Sequence, residues 1–194
     1  MRRPSLREST VADPLLVLGL GNPLCQDDGV GVVAVARLLE SWSPGPGVRM
    51  MEGGTLGLWL LPLLESYRNV LLVDAIRADG EPGTLVRIDG EEVARAAAHR
   101  LSVHQVGVGD LMDAAQLRGT LPPRLTLVGV VPEAVTLGLG LTPRVAQALP
   151  ALMARVVETC AELGHPLRPR TDDETLVGAD DGLRRVLGMP VEVR

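Results

Sequence analysis

The sequence predicts a doubly wound α/β sandwich, a mostly parallel sheet with helices on both faces. Two observations predict it. Apolar runs of strand length alternate with amphipathic runs of helix length, and three of the strand runs are almost uninterrupted by polar residues. Uninterrupted runs belong to strands covered on both faces, as in a parallel sheet.

The strands are expected at 15–20 (LLVLGL), 48–52 (VRMME), 69–74 (NVLLVD), 84–88 (TLVRI) and 125–131 (LTLVGVV). The fourth alternates between apolar and polar and is bracketed by turn residues, which marks it as an edge strand. Helices are expected near 28–41, 56–66, 103–117 and 142–163, and His99 lies in a further polar helical stretch. The last helix is the best specified. Thr142 reads as its N-cap, Pro143 takes its first position, Gly164 closes it and Pro150 should kink it. Val145, Leu149, Leu152, Val156, Cys160 and Leu163 recur at helical spacing to give one apolar stripe.

Residues 1–165 form the expected α/β domain. From Pro166 the chain turns to charge, proline and glycine, and 166–194 is expected to lie on the surface as a tail, with LRRVLGM as a short docking segment. At 194 residues and 46% hydrophobic, the chain is large enough to bury a core, and with 2% aromatics Leu, Val and Ala must fill it.

A net charge of −5 with no basic run excludes a nucleic-acid surface. No apolar run approaches the ~18 residues of a membrane span. The leading MRRPSLREST has no signal-peptide core, and Cys25 and Cys160 form no metal or disulfide motif. A cytoplasmic, monomeric protein is expected.

In an open parallel sheet, ligands bind beyond the carboxyl ends of the strands. Asp27 and Asp28 follow the first strand. Glu52, Gly53, Gly54 and Thr55 follow the second, and Asp74 ends the third. Ser102 and Gln105 have capping-box spacing, which would set His104 in a first helical turn, where the helix dipole favours neutral imidazole. Two carboxylates and one such imidazole at one end of a sheet make an open three-ligand set that nickel, zinc or manganese would accept. Each residue also has an ordinary reading: an aspartate pair at a helix start, a turn aspartate, a surface histidine and, for Cys25, a small buried thiol. His99 and His165 receive no role. There is no G-x-S-x-G, H-E-x-x-H or phosphate loop, and GLGNPL lacks the third glycine of a dinucleotide fingerprint.

The blocks VLGLGNPLCQDDGVG, MEGGTLGL, LLVDAI with EPGT after it, LSVHQ and LVGVVPE resemble, in that order, the maturation endopeptidases of nickel–iron hydrogenases. The likeness spans about residues 15–165. It implies a phosphorylase/hydrolase-like three-layer sandwich with a twisted five-stranded sheet. It also implies one cut, removing the C-terminal extension of the hydrogenase large-subunit precursor after nickel insertion.

By motif, the family's metal-contacting triad falls on Asp28, Asp74 and His104, with Gly53–Gly54–Thr55 lining the same cleft as Gly21, Asn22 and Asp27. Many relatives carry Glu where this chain has Asp28, so Asp27 could share its role. Nickel is expected to arrive with the substrate, although zinc or another divalent ion could occupy the site. A metal-polarised water with Asp28 or Asp74 as general base is the expected chemistry.

Two other readings stay open. VLGLGNP also resembles the strand and turn of peptidyl-tRNA hydrolases, but LCQDDGVG stands where those enzymes need an Arg-His-Asn run, and the charge is wrong for tRNA. A non-catalytic module that checks metal loading would bind the precursor and cut nothing.

Overall fold

The computed structural model describes residues 13–98 and 106–171. The elements run β1 (Leu15–Leu20), α1 (Val30–Ser41), β2 (Trp42–Ser43), β3 (Val48–Gly54), α2 (Leu61–Glu65), β4 (Asn69–Ala75), β5 (Leu85–Asp89), α3 (Glu91–Ala98), α4 (Val106–Arg118), β6 (Arg124–Val130), α5 (Pro143–Glu162) and β7 (Arg168–Pro169). Short 3-10 turns, Gln26–Gly29 and Gly57–Leu60, precede α1 and α2.

The main sheet has the order β3-β1-β4-β6-β5. All neighbours in it are parallel except β5, which runs antiparallel to β6 at the edge. Every residue of β1 and β4 is buried, Asn69 and Asp74 of β4 included, as expected of largely apolar strands covered on both faces.

Alternate residues of each strand feed two cores. Leu15, Val17, Leu71, Val73, Val128 and Val130 pack under α1 and α5. Leu16, Leu18, Leu20, Val70, Leu72 and Leu125 pack under α2, α3 and α4 through Leu64, Val93, Leu111 and Met112. The result is the three-layer sandwich expected from the sequence, with the edge strand where its alternation places it.

One close approach sets the height of α1 above the sheet. A Cβ on Gly31 would stand 2.0 Å from the Val73 carbonyl oxygen and 2.6 Å from that of Leu20. Only glycine lets the helix start rest directly on β1 and β4, which holds the preceding Gln26–Gly29 turn over the ends of those two strands.

Several expectations are refined. The helix expected from 28 begins as a 3-10 turn and becomes α-helical at Val30, and the one expected over 56–66 is likewise a 3-10 turn followed by the short α2. The polar stretch near His99 is the packed helix α3, which buries Val93 and Ala94.

In α5, Pro150 sits inside the helix, which runs on through it from Pro143 to Glu162. The helix closes as expected: Gly164 has φ +87°, its N–H donates to the Ala161 carbonyl and that of His165 to Cys160. Burial pushes the Cys160 thiol up to about 12, so it behaves as core. The His165 ring, also buried, donates from Nε2 to the Asp13 carbonyl at 2.7 Å.

The first residues beyond 165 are docked rather than loose. Leu167 joins the core, and β7 pairs antiparallel with β2. The leading segment, the stretch containing His99, Ser102, His104 and Gln105, and the tail from 172 with LRRVLGM lie outside the described residues.

Candidate active site

β1 is followed in sequence by β3 on one side of it and then by β4 on the other. The chain therefore reverses direction across the sheet between β1 and β4, and the crevice beyond their carboxyl ends is where such a sheet binds ligands. Asp28 follows β1, and Asp74 is the penultimate residue of β4.

The turn after β1 is built around Gly21, at φ +107°. A Cβ there would lie 1.7 Å from the Asp28 carbonyl oxygen and 3.4 Å from Asp74 Oδ1. The missing side chain thus lets the Asp28 backbone and the Asp74 carboxylate converge on one point. The Gly21 N–H donates to the Gly54 carbonyl at 3.1 Å, which ties the Gly53–Gly54–Thr55 turn to the same place. Within that turn Gly53 packs on Leu20 and Leu60, and Thr55 is exposed. The Asn22 N–H donates to Asp28 Oδ2 at 2.8 Å, and Asn22 Oδ1 accepts from the Leu24 N–H at 3.0 Å, so Asn22 shapes the turn that orients Asp28.

Asp28 is 2% exposed and Asp74 is 1% exposed. Burial holds the Asp74 carboxyl well above its ordinary range. The Ala75 N–H, donating to Asp74 Oδ1 at 2.7 Å, opposes this, and the Asp28 charge pushes further upward. Two carboxylates sharing one desolvated site in this way have a high affinity for a proton or a cation.

Asp27 does not line the crevice with Asp28. Its buried carboxylate accepts four hydrogen bonds from the β6–α5 loop: the N–H groups of Glu133, Ala134 and Thr142 and the Thr142 hydroxyl, at 2.7–3.0 Å. This corrects one expectation and refines another. Asp27 has its lone pairs committed elsewhere and is not an alternative to Asp28. Thr142 stands at the N-cap of α5 as expected, but its hydroxyl donates to Asp27 and makes no cap bond.

Neither partnership is readable from sequence, because Asp27 and Thr142 stand 115 residues apart. The same loop bonds the preceding residues. Gln26, at φ +48°, donates its N–H to the Gly138 carbonyl at 3.0 Å, and its side-chain oxygen accepts from Thr136 Oγ1 at 2.7 Å. These bonds offset a backbone strain of about 1 kcal/mol.

Among the described residues no three His, Cys, Asp or Glu side chains form a metal-holding group. Asp28 and Asp74 supply two oxygen donors, and His104 lies outside the described residues.

The pattern for hydrogenase maturation proteases of the HycI type matches residues 32–159. The chain belongs to the hydrogenase maturation protease family. The hydrogenase expression/formation protein HupD of Rhodobacter capsulatus is 41% identical over 145 residues, covering 74% of this chain and 69% of that protein. The hydrogenase 2 maturation protease of Escherichia coli (strain K12) is 34% identical over 157 residues, 80% of this chain and 96% of that one. The solved structure of the hydrogenase maturating endopeptidase HybD from E. coli superposes with a TM-score of 0.76 at 34% identity, covering 82% of this chain and 99% of that chain.

This maturation protease is therefore a peptidase, with the mixed five-stranded sheet of its relatives. The peptidyl-tRNA hydrolase and non-catalytic readings fall away. Among its described residues no helix is long and apolar enough to cross a membrane.

Proposed function

We propose that this protease removes the C-terminal extension of a nickel–iron hydrogenase large-subunit precursor after nickel insertion, using Asp28, Asp74 and His104 to contact nickel that the precursor carries. The observation that carries this reading is the convergence of Asp28 and Asp74 on Gly21 at the β1/β4 crevice, with Asp74 desolvated and opposed by the Asp28 charge. Such a pair is poorly stabilised alone and gains from a cation. A loaded precursor supplies one, and an unloaded precursor does not, so the pair makes cleavage conditional on loading. The donor set fits nickel, zinc or manganese, since hard carboxylate oxygens and an imidazole suit all three and no thiolate is present in the set.

Asp28 is fixed by the Asn22 N–H and Asp74 by the Ala75 N–H, so both carboxylates are pre-oriented before substrate arrives. One of the two, Asp28 or Asp74, serves as general base towards an attacking water. The reaction proceeds in the cytoplasm, on a single copy of the chain.

Replacing His104 with Ala tests the assignment. The variant is mixed with nickel-loaded precursor, and the size shift is followed on a gel. Processing is expected to stop while the circular dichroism spectrum is unchanged; normal cleavage would remove His104 from the site.

A further inference from the structure

Among the described residues seven large apolar side chains stand exposed, and six of them lie on the loops that follow β1, β3 and β6: Leu24, Leu56, Leu58, Trp59, Leu137 and Leu139. The seventh, Leu117, is near the end of α4, where its neighbour Arg118 pairs with Glu65 just before β4 begins, at the opposite end of the sheet. The exposed apolar surface is thus gathered at the carboxyl end of the sheet, where the site lies. Trp59 is 86% exposed and Leu137 87%, in a chain with only two Trp and no Phe. Leaving such a side chain in water forgoes ~1.5–3 kcal/mol of burial, and a concentrated patch of them marks an interaction surface.

The six form two rims. Leu24, Leu137 and Leu139 share one, because the Gly138 N–H donates to the Leu24 carbonyl at 2.9 Å and the Gln26 N–H to that of Gly138. The four bonds that Asp27 accepts from the same loop keep this rim rigid. Leu56, Leu58 and Trp59 form the other, on the turn beyond Gly54, whose carbonyl holds the Gly21 N–H. β3 lies beside β1 and β6 beside β4, so the loops after β3 and β6 that carry Trp59 and Leu137 leave the sheet on either side of the β1/β4 pair.

We propose that these two rims are the docking surface for the folded body of the hydrogenase precursor, with Trp59 and Leu137 as its anchors. The proposal rests on the function assigned above. A folded protein that presents a scissile bond to Asp28 and Asp74 comes up against the loops at this end of the sheet, and so against both rims. An extended peptide fills only the crevice. Pre-ordered apolar anchors on either side of a polar centre match the composition of protein interfaces, in which a Trp commonly carries a large share of the affinity.

The test uses the full chain and the nickel-loaded precursor, with Trp59→Ser, Leu137→Ser and, as control, Leu117→Ser. The first two are expected to raise KM by about tenfold or more, the effect of losing one anchor, with kcat at saturation little changed; Leu117→Ser should leave both unchanged. On the wild-type chain, hydroxyl-radical footprinting should show Trp59 protected when precursor is added. Unchanged KM in both anchor variants, or an unprotected Trp59, overturns the proposal. So does a wild-type dimer that Trp59→Ser dissociates without altering KM, which would give the surface to a second copy of this chain. If the wild-type protein leaves the loaded precursor uncut, the assigned function fails instead, whereas Trp59 protection reads docking independently of cleavage.

Discussion

Asp27 and Asp74 are both sealed from solvent at the same end of the sheet, yet their surroundings are opposite. Asp27 collects four donors and ties the turn after β1 to the loop before α5. Asp74 has the N–H of its own successor, and faces the charge of Asp28. A buried carboxylate with its lone pairs filled belongs to the fold. One that is desolvated and repelled is held at a cost to stability, and such costs collect where chemistry is done.

Four substitutions put this contrast to the test. Asp27→Ala should have the largest effect, because it strands three N–H groups and a hydroxyl, and a loss of about 3 kcal/mol or more is expected in a denaturant titration. Asp27→Asn keeps the shape but has one accepting oxygen and turns an NH2 group toward donors, so about 2 kcal/mol should be lost.

Asp74→Asn should act in the other direction. The amide oxygen can still accept from Ala75, while the buried charge is gone, and a gain of about 1–2 kcal/mol is expected at neutral pH. The sign follows from linkage. The folded-state value of Asp74 is raised above the unfolded value, about 3.9. Below that pH both states are protonated and the wild-type chain suffers no penalty. As pH rises towards the raised folded value, the wild-type chain loses stability and the Asn variant does not, so the gap opens upward from about pH 4. Parallel stability curves from acid to neutral pH would remove the burial penalty from Asp74. Thr142→Val, which deletes only the hydroxyl bond to Asp27, should cost about 1 kcal/mol by thermal unfolding.

The sequence made the scaffold legible because burial on both faces leaves strands apolar through their middles, as in LLVLGL and the VLLV of NVLLVD. The ends of α5 were equally clear, since Pro143 and Gly164 act through local backbone geometry. The roles of neighbouring aspartates were not. Asp27 and Asp28 are chemically identical and adjacent, and only the path of the loop at 131–142 decides which faces the crevice. That path is a long-range property, and it also draws the hydroxyl of the N-cap Thr142 to Asp27. The apolar rims were invisible for a related reason: Leu137 and Trp59 read like any core residues until the loops carrying them are seen to face solvent.

In the proposed function, Asp28 and Asp74 make cleavage depend on the metal in the substrate. The most direct measurement is a gel-shift time course of nickel-loaded and nickel-free large-subunit precursor with the wild-type protease and with Asp74→Asn. Only the loaded precursor should be shortened, and only by the wild-type protein. Cleavage of both precursors at the same rate, or normal cleavage by a folded Asp74→Asn variant, would contradict it.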